Sequence, residues 1–352
     1  MLRIPNGGSF GQGSANWLEI RTCFVTASRA VEVVRDYPQR KARYAQQKRS
    51  EWSVDGKTYV GDPAFASGDD SFGAQVTRRN VAYGSAHEGT ARENYVRALR
   101  SVYGTAHSDV RVAVEGVSFY VNRECTTLAS PDGEVTVRYT ARGSGEEGRE
   151  FGLVEIKCPV GDFFRRNPEF DPKREITWQQ YGGLLSTGKN ANIPRPKFSL
   201  SALKQKESMR RTPADLSGPF AFTIENESPY KGWYIQCLVN LFTCPGEPQW
   251  IDLCIWTAPS MTNTHTWWFK NELGEPFKNL YVERFYRDDP LVLDDWGIVN
   301  QNIQAFYVEH AAMFYKNIMN CLRQWNAETQ VSPDSAVEPP CDPSEAAASS
   351  QT

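Results

Sequence analysis

The stretch Leu153-Val154-Glu155-Ile156-Lys157-Cys158-Pro159 constrains this chain more than any other. It reads as a short strand, and alternate residues of a strand share a face. Glu155 and Lys157 therefore point together, while Val154 and Ile156 point the opposite way. Charged groups on an otherwise apolar strand are costly to bury unless they are paired or bound to a metal. Upstream, Ala129-Ser130-Pro131-Asp132-Gly133 places an aspartate at a tight turn between strands. Proline sets the dihedral entering that turn, and glycine is expected to permit an unusual one after it.

Two carboxylates and a lysine suit phosphodiester hydrolysis. Asp132 and Glu155 can hold one or two Mg²⁺, a hard cation that favours carboxylate oxygen. Such a metal activates a bound water and offsets charge on the attacking and leaving oxygens. Lys157 can orient that water or stabilise the pentacovalent phosphate. Taken singly, Asp132 reads more simply as a turn residue, and Glu155–Lys157 as an ordinary salt bridge. Two further residues change the balance. Glu88 lies three and seven positions before Ala91 and Tyr95, on the expected inward stripe of its helix. A surface i,i+4 pair with Arg92 stays open as the alternative. Gln236 lies off the apolar stripe of its helix, where it either reaches a water or phosphate or faces solvent.

Around these residues the chain organises as one α/β unit. Residues 1–16 are rich in Gly, Ser and Asn and are expected to form a loose arm. A helix is predicted from Arg29 to Tyr37, capped from Thr26-Ala27-Ser28, and another from about Val81 to Val102, ended by Gly104. Strand patterning covers Val110 to Val121, Glu134 to Tyr139 and Phe151 to Lys157. Residues 160–228 are polar and Pro-punctuated, as in an insertion or mobile loop. An amphipathic helix should start at Ser228-Pro229, because Tyr230, Trp233, Tyr234, Cys237, Leu238, Leu241 and Phe242 keep helical spacing. Strands near 250–257, 264–269 and 279–286 and a helical region over 291–326 follow. The structured unit is thus expected over 17–328. Residues 329–352 form an acidic tail expected to be disordered.

The formal net charge is −3, so any nucleic-acid binding has to come from a local patch. The run Arg35, Arg40, Lys41, Arg43, Lys48 and Arg49 is either a solvated face or a DNA-tracking patch. No apolar run is long enough to span a bilayer, and the first residues lack the apolar core of a secretory signal. Eight cysteines without a CxxC pair fit free thiols in a reducing compartment, so an intracellular location is expected. That means the nucleus for a eukaryotic or eukaryotic-virus source, and the cytoplasm otherwise. Three competing motifs fail. Gly183 to Asn190 nearly spells a P-loop but ends in Asn, without the metal-binding hydroxyl. No histidine stands four residues after His87, which removes the zinc-protease reading of His87-Glu88. The cysteines are too dispersed for an iron–sulfur cluster.

Taken in order, the blocks resemble the phage lambda exonuclease group of PD-(D/E)xK nucleases, which includes YqaJ-type viral recombinases and viral alkaline nucleases. The resemblance rests on Trp17 to Arg21 with Thr26-Ala27-Ser28, Tyr83-Gly84 to Glu88 and Arg92, Ser130-Pro131-Asp132-Gly133, Glu155 to Pro159, Tyr234-Ile235-Gln236 and Tyr281 to Arg284. It implies a restriction-endonuclease-like core, a central mixed sheet flanked by helices. Asp132, Glu155 and the Ile156 carbonyl would bind Mg²⁺, with Mn²⁺ as a substitute. Glu88 would assist through metal-bound water, and Lys157 would position the nucleophile. Arg21, Ser28, Ser130 and Gln236 would cradle the 5′-phosphate, for which a guanidinium fork is better shaped than an ammonium. The implied activity is 5′→3′ degradation of double-stranded DNA from its ends. A trimeric ring and a single-strand annealing partner are the implied assemblies. An endonuclease or RNase on the same site, and a non-catalytic DNA-end-binding scaffold, are the alternatives.

Overall fold

A computed structural model describes residues 2–4, 15–34, 38–54, 57–60, 72–104, 106–116, 119–122, 124, 126–158, 160, 163–176, 231–256 and 280–330. Residues 5–14 of the expected arm, most of the 160–228 segment, the Ser228-Pro229 helix start, the strand near 264–269 and the tail from 331 lie outside them. So do Arg35 and the near-P-loop at Gly183 to Asn190.

Strand β1 (Leu2–Ile4) and helix α1 (Ala15–Ile20) lead into a 3-10 turn (Arg21–Cys23), β2 (Val25–Thr26) and a second 3-10 turn (Ala27–Arg29). Then come α2 (Ala30–Val34), α3 (Pro38–Arg49), the hairpin β3 (Glu51–Val54) and β4 (Lys57–Val60), and the long α4 (Phe72–Gly104). The middle of the chain supplies β5 (His107–Glu115), β6 (Phe119–Val121), β7 (Thr127–Ala129), β8 (Gly133–Ala141), β9 (Glu147–Lys157) and the short α5 (Phe163–Arg166). The last part holds α6 (Lys231–Thr243), β10 (Trp250–Trp256), β11 (Leu280–Tyr286), α7 (Pro290–Glu309) and α8 (Ala311–Gln330).

The central sheet has the order β11-β10-β9-β8-β5. β9 and β10 run parallel and every other pair runs antiparallel, so the sheet is mixed, with helices against it, as the resemblance implies. Every residue of β10 is buried, which marks a strand covered on both faces. On one face lies α4, whose Tyr83, His87, Ala91, Tyr95, Leu99 and Val102 recur every three or four residues and are all buried. On the other lies α6, buried from Tyr234 through Leu241. Gly152 is required where it stands, because a Cβ there would come within 2.3 Å of the Trp250 ring on β10. A second sheet, β1-β6-β7-β2, packs around Trp17, Ile20, Phe119, Val121 and Leu128.

Between α4 and the central sheet sits a closed polar network. The Arg284 guanidinium donates from Nε to Asp252 Oδ1 at 2.7 Å and from Nη2 to Oδ2 at 2.8 Å, with both side chains fully buried. Tyr95 donates its hydroxyl to Asp252 Oδ2 at 2.6 Å, and the guanidinium carbon lies 3.5 Å from the Trp250 ring centroid.

Several expectations shift. Leu2–Ile4, inside the stretch read as a loose arm, pairs antiparallel with β6. Composition does not register backbone pairing of that kind. The apolar run 110–121 divides into β5 and β6, which belong to different sheets. The strand ending at Lys157 starts at Glu147, extended by its antiparallel ladder with β8. The helix expected from Arg29 opens as a 3-10 turn, and the Thr26 side chain makes no capping bond. Helix α4 begins at Phe72, ahead of the predicted Val81, and His310 divides the last helical region in two. Among the described residues no helix is long and apolar enough to cross a membrane.

Candidate active site

The turn before β8 carries the chain from one sheet to the other. Gly133 occupies it for a packing reason: a Cβ there would meet Val114 Cγ1 at 2.5 Å. It is not among the residues with positive φ, so the expected dihedral role gives way to close packing. Gly133 pairs with Val154, which sets Asp132 beside the end of β9. The Ile156 N–H donates to Asp132 Oδ2 at 2.6 Å, fastening this half-buried carboxylate to the peptide whose carbonyl is the expected third metal ligand.

Glu155 is buried, and its strand face is the one that α6 covers. Lys157 Nζ and Gln236 Nε2 both donate to Glu155 Oε1, the latter at 2.6 Å. Asn240 Nδ2 donates to Oε2 at 2.8 Å. Gln236 was expected to face a phosphate or solvent; here it is buried and holds the carboxylate instead. Asn240 was not among the expected site residues. Its signal is its place one helical turn after Gln236, hence on the same face of α6.

Glu88 approaches from α4. It is half-exposed and forms the i,i+4 pair with Arg92 at 2.7 Å, so the inward stripe runs through His87, one position earlier. The pair still belongs to the site. Arg92 also donates to the Asp132 carbonyl at 3.2 Å, and the charge of Glu88 acts on Asp132, Glu155 and Cys158. His87 is a core side chain, its ring centroid 4.2 Å from that of Tyr83.

The electrostatics of the cluster are those of acids crowded together. Burial, followed by the charge of Glu155, drives Asp132 well above the usual carboxylate range. Burial also raises Glu155, against the opposing pull of Lys157. Burial alone would lower Lys157, yet the charges of Glu155 and Asp132 outweigh it and hold the ammonium above its ordinary value. The Cys158 thiol is pushed up to about 12 by burial and by Glu88, which makes it a poor nucleophile. Among the described residues no three His, Cys, Asp or Glu side chains form a ready cage for a metal ion. The donor set fits a hard divalent cation that completes its shell with water and substrate oxygen, because such a charge would relieve the strained pair of acids.

The remaining expected residues gather nearby in the fold. Arg21 Nη2 donates to Ser28 Oγ at 3.2 Å, and its guanidinium carbon lies 4.3 Å from the Trp17 ring centroid. β2 and β7 are parallel neighbours with Thr26 opposite Leu128. Ser28 and Ser130 each follow two residues later, so both stand past the same end of that strand pair, and Asp132 comes two residues after Ser130. In the basic run, Lys48 is neither solvated nor available to DNA. It is buried, and its ammonium donates to the carbonyls of Arg21 and Phe24.

The model of the YqaJ-like viral recombinase domain matches residues 16–190, which contain all but the first residue of α1, the 3-10 turns, α4, the Asp132 turn and Glu155–Lys157. The structure of LHK-Exo in complex with dAMP is similar at a TM-score of 0.39 and 15% identity, over 90% of this chain and 100% of that one. None of the curated proteins matches the chain in sequence. The family supports a nuclease working in recombination and dependent on a divalent metal. Through residues 16–190 this chain belongs to the YqaJ-like viral recombinase domain family.

Proposed function

We propose that the chain is a Mg²⁺-dependent exonuclease that degrades double-stranded DNA from 5′ ends in viral-type recombination. The observation that carries this reading is the meeting of Asp132, Glu155 and Lys157 at the ends of β8 and β9, with both acids raised. Asp132, Glu155 and the Ile156 carbonyl would hold the metal, with Glu88 acting through water. When bound, the ion lowers the pKa of a water and neutralises charge developing on the phosphate. Gln236 and Asn240 fix both oxygens of Glu155, so that carboxylate does not reorient during turnover. Lys157 stays an ammonium at working pH, which suits it to orienting a nucleophile or stabilising phosphate charge and unsuits it as a base. Arg21, with Ser28 and Ser130, would receive the terminal 5′-phosphate, and the Trp17 ring restricts where the guanidinium can lie.

The test is degradation of linear duplex DNA carrying 5′-phosphates in the presence of Mg²⁺ or Mn²⁺. Release of 5′-mononucleotides is expected, with loss of at least about 10³-fold in rate for Asp132→Ala. Covalently closed circles and structured RNA should be left intact. Equal cutting of those substrates would mark an endonuclease or RNase, and inactivity of the unaltered chain with either metal would sink the proposal.

A further inference from the structure

On the outer part of the central sheet, three arginines stand directly opposite one another. Arg111 on β5 faces Arg138 on β8, and Arg138 faces Arg149 on β9. All three are exposed, and none has a carboxylate partner within 4 Å among the described residues. Like charges directly opposite across strands are destabilising, so a row of three is a poor arrangement unless an anion lies against it. The next row along the same face, Ala113, Thr136 and Phe151, is small or apolar and forms the floor of a groove of about 770 Å³ that Pro245 and Gly246 also line. Glu147 stands on one side of the row, and Glu115 and Glu134, which also line the groove, stand two rows away on the other. None of them pairs with an arginine of the row, so the positive charge is a narrow stripe between acidic flanks.

The row also has a fixed relation to the candidate site. Arg149 and Glu155 are six residues apart on one strand and so share a face, about 20 Å from each other at the rise of a strand. That length equals about six base pairs of duplex. Neighbouring strands lie about 4.8 Å apart, so the row spreads three guanidiniums over about 10 Å, a span suited to successive phosphates and too wide for one. The net charge of −3 leaves local patches of this kind to supply any affinity for a polyanion.

We propose that Arg111, Arg138 and Arg149 form a phosphodiester-binding row that grips nucleic acid some six base pairs from the cleaved end. The inference rests on the proposed DNA-processing function and extends it to a second contact. Guanidiniums reading only phosphate add affinity without sequence preference, and they make that affinity fall steeply with salt.

The experiment measures binding of the full chain to a 30-base-pair duplex by fluorescence anisotropy, in chelator and over a range of salt. It compares the unaltered chain, Arg138→Glu alone, and the triple change of all three arginines to Gln. Loss of three phosphate contacts should flatten the slope of log affinity against log salt by about 2.7 units. Arg138→Glu should weaken binding at least 10-fold, and both variants should raise KM while leaving kcat within about twofold. Because the arginines are exposed and mutually repulsive, thermal melting without DNA should hold or rise, which separates lost binding from lost folding. Unchanged slope and affinity in variants that melt normally would overturn the row alone and leave the nuclease reading standing. Capture of a polyglutamate peptide by the unaltered chain, lost in the triple variant with DNA affinity intact, would assign the row to an acidic protein instead. Absence of both binding and cutting of DNA by the unaltered chain would overturn row and function together.

Discussion

Under the proposed function, Asp132 is a residue whose catalytic place opposes folding. Its folded-state pKa is raised first by burial and then by Glu155. A carboxyl raised in this way stabilises the fold fully only below its ordinary value, and loses that contribution as pH rises through the raised one. Above that window the metal-free protein carries two charged acids side by side. Asp132→Asn keeps an oxygen to accept the Ile156 N–H and removes the charge. In chelator at pH 7–8 it should melt about 2–4 °C higher than the unaltered chain, with the gain disappearing near pH 4. Differential scanning fluorimetry across pH checks this, and equal or lower melting at pH 8 would show that no such opposition exists. The motif Ser130-Pro131-Asp132-Gly133 and the pair Glu155–Lys157 were legible in one dimension, because strand alternation and a tight turn already imply which side chains converge. Asn240 was not. What makes it part of the site is Glu155, 85 residues away, reached only when α6 lies across β9.

At the scale of elements, the central sheet keeps two different chemistries on its two faces. Glu155 and Lys157 look toward α6; Asp252, paired with Val154 and with Arg284, looks toward α4. The period of two therefore separates the candidate site from a network that braces the fold. Asp252–Arg284 is fully buried, bidentate and further bonded by Tyr95. Removing one partner leaves an uncompensated charge, so Asp252→Ala should cost about 3–5 kcal/mol in urea unfolding. A loss under 1 kcal/mol would mean that the network is hydrated or adaptable. Sequence patterning located α4, α6, β9, β10 and β11 because each shows a period of 3.6 or 2, or a mainly apolar run. It placed the inward stripe of α4 one residue off, choosing Glu88 over His87, since Ala91 and Tyr95 lie close to both positions on the helical wheel. It also joined β5 to β6, because alternation continues while the chain passes between sheets.

Across the whole molecule, the far end of the chain returns to support the arginine expected at the phosphate pocket. Asn317 on α8 donates to the carbonyl of Thr22 at 2.9 Å and to that of Lys48 at 3.2 Å. Cys321, one turn further, has its Sγ 3.2 Å from that of Cys23. Together with Lys48 these contacts hold the 3-10 turn Arg21–Cys23, and with it the backbone of Arg21. Asn317→Ala should therefore destabilise by about 1–3 kcal/mol, the penalty of a buried acceptor left unpaired. It should also reduce the preference for 5′-phosphorylated over 5′-hydroxyl ends, which parallel KM measurements on the two substrates would reveal. A stability loss with that preference intact would limit α8 to a purely structural part.

From the sequence by itself came the residues of the candidate centre and the main helices and strands that carry them. Residue type and short spacing determine both, and neither requires knowledge of what lies across the fold. The tertiary structure alone decided the partners of Glu155, the fate of Lys48 as a buried brace, the return of α8 to the first turn, and the alignment of Arg111, Arg138 and Arg149. Each of these depends on strand register or helix docking between distant segments. Spacing along the chain does not encode such contacts, because packing and backbone pairing select them jointly.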